Sequence, residues 1–240
     1  MLQSGPMEGR SGSCMYVQTA RNVLWIFGGR NDAGIGSNDV FSFDLAEMQW
    51  KVHSILSNGP SQGRFGMTCF QKSETELCIY GGQQTKDLPG MGDSYCFDTE
   101  AQTWINVTFS GDYPGMRNDA SDVDVGSFVY LIGGNGTADD RTFILDVKTF
   151  SWQYLATPAP RPQGRGDAAM GQMNAGVFVH GGREGESGAL VEGATWTLSG
   201  GRWHSETFPK GPSPRWGAAG CILPQSPSKY VMFGGVDGTG

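Results

Sequence analysis

A short apolar run stopped by two glycines recurs along the chain, and this constrains the fold more than any other feature. Leu24-Trp25-Ile26-Phe27-Gly28-Gly29 returns as Leu77-Cys78-Ile79-Tyr80-Gly81-Gly82, Val129-Tyr130-Leu131-Ile132-Gly133-Gly134, Val177-Phe178-Val179-His180-Gly181-Gly182 and Tyr230-Val231-Met232-Phe233-Gly234-Gly235. The first glycines are spaced by 53, 52, 48 and 53 residues. A period of that length means stacked copies of one supersecondary unit, each unable to bury its apolar face alone.

Each copy reads as short strands separated by turns. In the first, Ser13 to Val17 and Val23 to Phe27 form a hairpin, Arg30 to Ser37 is a polar loop, and Asp39 to Asp44 alternates as a half-buried strand does. Leu45 to Met48 is a turn, and Gln49 to Val52 is a fourth strand. The later copies repeat this order. No run has the 3.6-residue apolar period of a helix. Glycine, 38 of 240 residues, is well above the usual ~7%, as many tight turns require.

Two further marks keep phase. An aspartate lies six residues before a tryptophan at Asp44/Trp50, Asp98/Trp104 and Asp146/Trp152. The fourth copy lacks it, with Leu198 in that neighbourhood. An arginine opens each copy: Arg10, Arg64, Arg117, Arg165 and Arg215. These arginines are expected to tie neighbouring copies together through carbonyls or carboxylates. Arg165-Gly166-Asp167, which spells an integrin-like tripeptide, falls in the same register and reads as part of the repeat.

Together, the glycine pair after an apolar strand, the downstream aspartate and tryptophan, and the opening arginine resemble the kelch repeat. The longer copies found in Rab9-effector-like and galactose-oxidase-central-domain-like proteins are the nearest in length. The resemblance implies an all-β propeller whose four-stranded blades surround a channel. A single domain, 1–240, is expected, with repeats at about 10–57, 64–110, 117–158, 165–209 and 215–240. The fifth copy has only its first hairpin, so the expectation is four blades and a half, a segment of a larger propeller. Such a segment would stay soluble only by dimerising or closing tightly.

The formal charge of −7 argues against nucleic acid and anionic membranes as partners. No apolar stretch approaches the ~20 residues of a membrane span, and the first residues lack the pattern of a signal peptide. A cytoplasmic placement is therefore expected, and the sequons at Asn106 and Asn135 read as chance. Five cysteines without C-x-x-C spacing point to neither structural zinc nor a disulfide scaffold. Cys69 and Cys78 fall where they would face each other across a hairpin, but small buried thiols in a reducing compartment are the preferred reading.

Catalysis is not expected. The histidines, His53, His180 and His204, fall at places in the repeat that should not converge on one metal. The residues four before them, Gln49, Gly176 and Gly200, give no acid-then-histidine cluster. His180 reads as a packed polar substitute. No cofactor and no metal are expected. Binding of a protein is the favoured class, since kelch propellers commonly dock partners at one channel mouth. Candidates after the glycine pairs are Arg30, Asn31, Asp32, Gln83, Gln84, Asn135, Arg183 and Glu184. Candidates leading into the first strands are Phe65, Asn118, Asp119, Asp167 and Trp216. Arginine and tryptophan are the usual carriers of interface energy, and Arg30 and Arg183 match the partner-contacting arginines of some kelch domains. Two other readings stay open: a fragment of a kelch-type enzyme whose catalytic residues lie elsewhere, and an extracellular carbohydrate-binding propeller.

Overall fold

The structure is a computed structural model that describes residues 7–53, 58–134, 139–173, 176–184, 189–191, 193, 195–208, 210–223 and 226–237. It is all-β with propeller blades, as expected. The chain divides into two compact units, Met1–Thr108 with Gly115–Asn118, and Phe109–Pro114 with Asp119–Gly240.

The first unit holds two four-stranded antiparallel blades, each with its strands in sequence order. Blade 1 is Cys14–Gln18, Val23–Phe27, Val40–Asp44 and Gln49–His53; blade 2 is Thr68–Gln71, Glu76–Tyr80, Ser94–Asp98 and Thr103–Val107. Their facing surfaces form one core of Cys14, Trp25, Phe27, Val40, Met67, Leu77, Ile79, Phe97 and Trp104. Trp104 stands 4.8 Å from Phe27 and 5.0 Å from Phe97, so the tryptophan of one blade closes the seam with its predecessor. Burying an aromatic of this size contributes about 2–3 kcal/mol.

The second unit holds blade 3, Ser121–Val125, Phe128–Ile132, Thr142–Asp146 and Ser151–Leu155, with Ser110–Gly111 added in parallel to its last strand. Blade 4 is Ala169–Met173, Gly176–His180, Thr195–Ser199 and Arg202–Glu206, and a hairpin of Ala219–Leu223 with Ser226–Phe233 follows. The first strands of adjacent blades lie side by side within each unit. Trp203 again crosses a seam, its indole N–H donating to Thr142 Oγ1 at 3.2 Å.

The recurring marks have separate causes. The glycine pairs have positive φ, 64° and 91° at Gly28 and Gly29, a region that costs glycine nothing. A Cβ on Gly28 would lie 2.6 Å from the Arg64 carbonyl oxygen. That carbonyl accepts from Gly29 N–H at 2.9 Å, and the same bond recurs from Gly82 to Arg117, Gly134 to Arg165 and Gly182 to Arg215. Each glycine pair is thus the seat for the next repeat's opening arginine. The arginine side chain turns back into its own repeat: Nη1 reaches the first glycine's carbonyl at 3.0 Å from Arg64 and 2.8 Å from Arg165. The expected tie between blades is therefore made by the arginine backbone, while the guanidinium braces its own blade. The aspartates cap turns. Asp44 Oδ1 accepts from the N–H groups of Ala46 and Glu47, and Asp98 Oδ1 from those of Glu100 and Ala101.

Several sequence-based expectations change. Ser121–Val125 and Ala169–Met173 are strands that periodicity did not single out. In blade 4 it is Ser199, not Leu198, that stands in the aspartate's register, opposite Arg202. Four of the five cysteines are bridged, Cys14 to Cys69 and Cys78 to Cys96, with Cα separations of 5.8 and 4.0 Å, and Cys221 is a free, exposed thiol. Cys69 pairs with Ile79 across its own hairpin, not with Cys78. The Cys14–Cys69 bridge joins first strands of adjacent blades, a proximity that exists only after the blades stack.

Candidate functional site

Both candidate loop sets lie at the glycine-pair end of the blades, and the backbone joins them in pairs. In the four repeats where both residues are described, the residue after the glycine pair exchanges reciprocal hydrogen bonds with the residue after the opening arginine. Ser11 pairs with Arg30, Phe65 with Gln83, Gly166 with Arg183 and Trp216 with Val236, all at 2.9–3.1 Å. Two loops that the sequence separates by about 17–20 residues thus form one small two-stranded platform in each of these four repeats. The next residue along the first-strand loop has positive φ throughout: Gly12 67°, Gly66 64°, Asp119 52°, Asp167 53° and Gly217 66°. Its N–H donates to the equivalent carbonyl of the preceding repeat, from Gly66 to Gly12, Asp167 to Asp119 and Gly217 to Asp167.

In the first unit, Arg30 lies over the Phe65 ring at 4.9 Å and donates from Nε to Ser11 Oγ at 3.1 Å. A guanidinium stacked in this way keeps its outer N–H groups for other acceptors. Phe65 itself is 3% exposed, so it serves as a floor rather than as a contact. Gln83 is likewise buried, its amide donating to the Thr85 carbonyl at 2.6 Å. Asn118 is buried, and Gln84 is half-buried with its carbonyl accepting from Gly36. Asn31 shapes its own loop by accepting from the N–H groups of Ala33 and Ile35. Asp32 is exposed.

In the second unit Arg183 repeats the arrangement 5.2 Å over the Trp216 ring. Here its Nε donates to Asp167 at 2.7 Å and its Nη2 to Asp119 at 2.9 Å. The two aspartates stand where the first unit has Gly12 and Gly66, and each adds a carboxylate that a glycine cannot supply. Glu184 is exposed and Trp216 half-buried. Asn135 lies outside the described residues. Arg165, 2% exposed, is held below its usual pKa, at about 10, by burial. The Arg-Gly-Asp tripeptide therefore has its arginine inside the blade and its aspartate in the Arg183 clamp.

The sequence reading missed one exposed apolar pair in the first unit. Leu88 and Met116, 47% and 67% exposed, flank a shallow cavity of about 370 Å³ with Pro89, Met91 and Asp93. Leu88 lies beyond the polar residues that immediately follow the glycine pair, where a search for charged loop residues stops too early. Of the histidines, His53 and His180 are buried and hydrogen-bonded, His180 Nδ1 lying 2.9 Å from Thr195 Oγ1; His204 is exposed. Among the described residues no group of three or more metal-ligating side chains converges, and no helix is long and apolar enough to cross a membrane.

Comparison with known proteins agrees with this geometry. The family model of the KLHDC2/KLHL20/DRC7 Kelch-repeats domain matches residues 2–182. Kelch domain-containing protein 3 of Bos taurus is 24% identical over 228 residues, covering 89% of this chain and 58% of that protein. Acyl-CoA-binding domain-containing protein 5 of Arabidopsis thaliana is 28% identical over 172 residues, covering 70% of this chain and 26% of that protein. Dynein regulatory complex subunit 7 of Chlamydomonas reinhardtii is 28% identical over 115 residues, 48% of this chain and 10% of that protein. The chain thus spans 58% or less of the length of these three relatives.

Proposed function

The chain belongs to the kelch-repeat family, and from that premise we propose that it is a non-catalytic protein-interaction module, an adaptor or scaffold. Its five repeats act as one propeller domain, and a protein partner docks on the glycine-pair loops. The observation that carries this reading is the arginine seated on an aromatic floor, Arg30 on Phe65 and Arg183 on Trp216. Stacking fixes each side chain before a partner arrives, which lowers the entropy lost on binding. Asn31, Asp32 and Glu184 flank these arginines as rim contacts, and the apolar pair Leu88 and Met116 gives the first unit a surface that a partner can desolvate.

The test is cross-linking of the full chain to its partner in lysate, comparing wild type with Arg30→Ala and Leu88→Ser. Binding should fall at least about ten-fold for Arg30→Ala, with an unchanged melting temperature. Undiminished capture by both variants would overturn the reading. The cytoplasmic placement is part of the proposal and requires both cysteine bridges to be reduced there. Thiol alkylation before lysis, read by mass shift, checks it.

A further inference from the structure

A cavity of about 320 Å³ lies between blades 3 and 4 and opens beside the turn at Gly200 and Gly201. Blade 3 supplies Val125, Tyr130, Ile144 and Leu155; blade 4 supplies Val177, Leu198 and a rim of Gln172 and Ser199. None of these residues belongs to the glycine-pair loops.

The seam between blades 1 and 2 shows what such a place is built to hold. Strand register puts Val125, Tyr130, Ile144 and Leu155 where blade 1 has Gln18, Trp25, Ser42 and His53. It puts Leu198 and Ser199 where blade 2 has Phe97 and Asp98. In the first unit the Trp25 ring has His53 at 4.9 Å and Phe97 at 5.6 Å. Its indole N–H donates to Gln18 Oε1 at 3.1 Å, and Gln102 of the blade 2 turn reaches His53 at 3.3 Å. In the second unit both flanking rings have become leucines. The four-residue turn that carries Thr99 and Gln102 has shrunk to Gly200 and Gly201, whose φ values of 56° and 74° suit a two-residue hairpin. Only the central aromatic persists, as Tyr130, and Val125 offers it no acceptor. The Tyr130 hydroxyl has no hydrogen-bond partner among the described residues.

We propose that this cavity binds a small planar aromatic molecule of one or two rings with one polar hydrogen, of the indole or phenol class. The ring lies against Tyr130 where Phe97 lies against Trp25, and its N–H or O–H meets the Tyr130 hydroxyl. The aliphatic walls exclude charge, and the volume is about twice the ~150 Å³ known to hold benzene in an apolar cavity. Pockets of this size and lining, apolar with few polar groups, are the usual form of a small-molecule site.

Saturation-transfer NMR of the full chain with indole tests this, alongside toluene, which shares the planar ring but has no polar hydrogen. Wild type should transfer saturation to the indole ring protons. Leu198→Phe refills the seat with the first unit's own ring and should weaken indole by about ten-fold or more. Tyr130→Phe keeps the walls and should weaken indole about five-fold while leaving toluene unchanged, the loss of one hydrogen bond. Absence of transfer with wild type, or undiminished indole binding to a folded Leu198→Phe, would overturn the proposal. If Leu198→Phe does not fold, Tyr130→Phe decides: equal effects on indole and toluene, or none on either, sink it. Loss of the loop-docked partner leaves this result untouched, so the two readings fail separately.

Discussion

The two units place their polar groups at opposite places on the same scaffold. In the first, the seam is polar: Gln18 donates to the Glu74 carbonyl at 2.8 Å and accepts from Trp25, while Ser42, His53 and Gln102 form a second chain. Its glycine-pair loops carry Gly12 and Gly66, and Arg30 has a hydroxyl and a ring for company. In the second unit the part of the seam around Tyr130 is aliphatic, Trp203 donating to Thr142 elsewhere in it, and the loops carry the Asp119–Arg183–Asp167 clamp. A buried polar network works only when all members are present. This explains why four blade 3 positions change together rather than singly. The repeat backbone tolerates either solution because the glycine-pair seat, not the seam chemistry, sets how blades join.

The opening arginines should give the largest contrast. Arg64, 1% exposed, pairs with both oxygens of Asp93 at 2.7 and 3.1 Å. Among the described residues Arg165 meets the carbonyls of Gly181 and Gln163 and no carboxylate. Arg64→Ala should cost about 3 kcal/mol and Arg165→Ala about 2 kcal/mol, because the first also gives up a two-oxygen pair with the solvent-exposed Asp93 carboxylate. Equal losses in urea unfolding would mean that Asp93 contributes nothing and that packing alone explains both.

Next come the seams. Gln18→Ala leaves the Trp25 indole N–H and the Glu74 carbonyl unpaired and should cost about 2 kcal/mol. Val125→Ala, at the equivalent place, removes two methyl groups from a partly open wall and should cost about 1 kcal/mol. If the order reverses in urea titrations, the polar seam is ornament and the aliphatic one does the holding. The turns differ by less. Asp98→Ala strips two N–H groups of their acceptor and should cost about 1 kcal/mol. Ser199→Ala, at an exposed two-residue turn, should stay within about 0.5 kcal/mol. A loss at Ser199 matching that at Asp98 would show that the short turn needs its own cap.

What the sequence made legible was what acts over a few residues. The glycine pair, the opening arginine and the capping aspartate each do their work within one repeat or at its junction, so each copy displays them. The strand Ser121–Val125 does alternate, Val123 and Val125 with Asp122 and Asp124, but two valines make too short an apolar signal to stand out from a polar loop. The Cys14–Cys69 bridge and the burial of Phe65 and Gln83 depend on contacts between loops or between blades. A residue's place in one copy does not reveal those contacts. Phe65 reads as a rim aromatic in sequence, yet the Arg30 stacked above it makes it a floor. Arg183 reads as a free contact, yet Asp119 and Asp167, ordinary loop carboxylates in sequence, converge on it through the positive-φ bend that they share.

The smallest effect, and the one that isolates the polar seam, is its pH dependence. Burial lowers the His53 pKa; the Gln102 hydrogen bond opposes this and the Lys51 charge adds to it. The unfolded chain therefore takes up a proton near the ordinary histidine value of ~6.5, before the folded chain does. Stability is full above that value and is lost as pH falls through it toward the depressed folded value. His180 in the second unit is lowered in the same direction, chiefly by burial and further by the charges of Arg165 and Arg215. Wild type should thus lose stability between about pH 7 and 5 in urea unfolding. His53→Leu, which installs the residue that blade 3 carries there, should flatten part of that loss and leave the His180 share. A His53→Leu slope indistinguishable from wild type would mean that the imidazole titrates freely and that the first unit's seam is wetter than its hydrogen bonds imply.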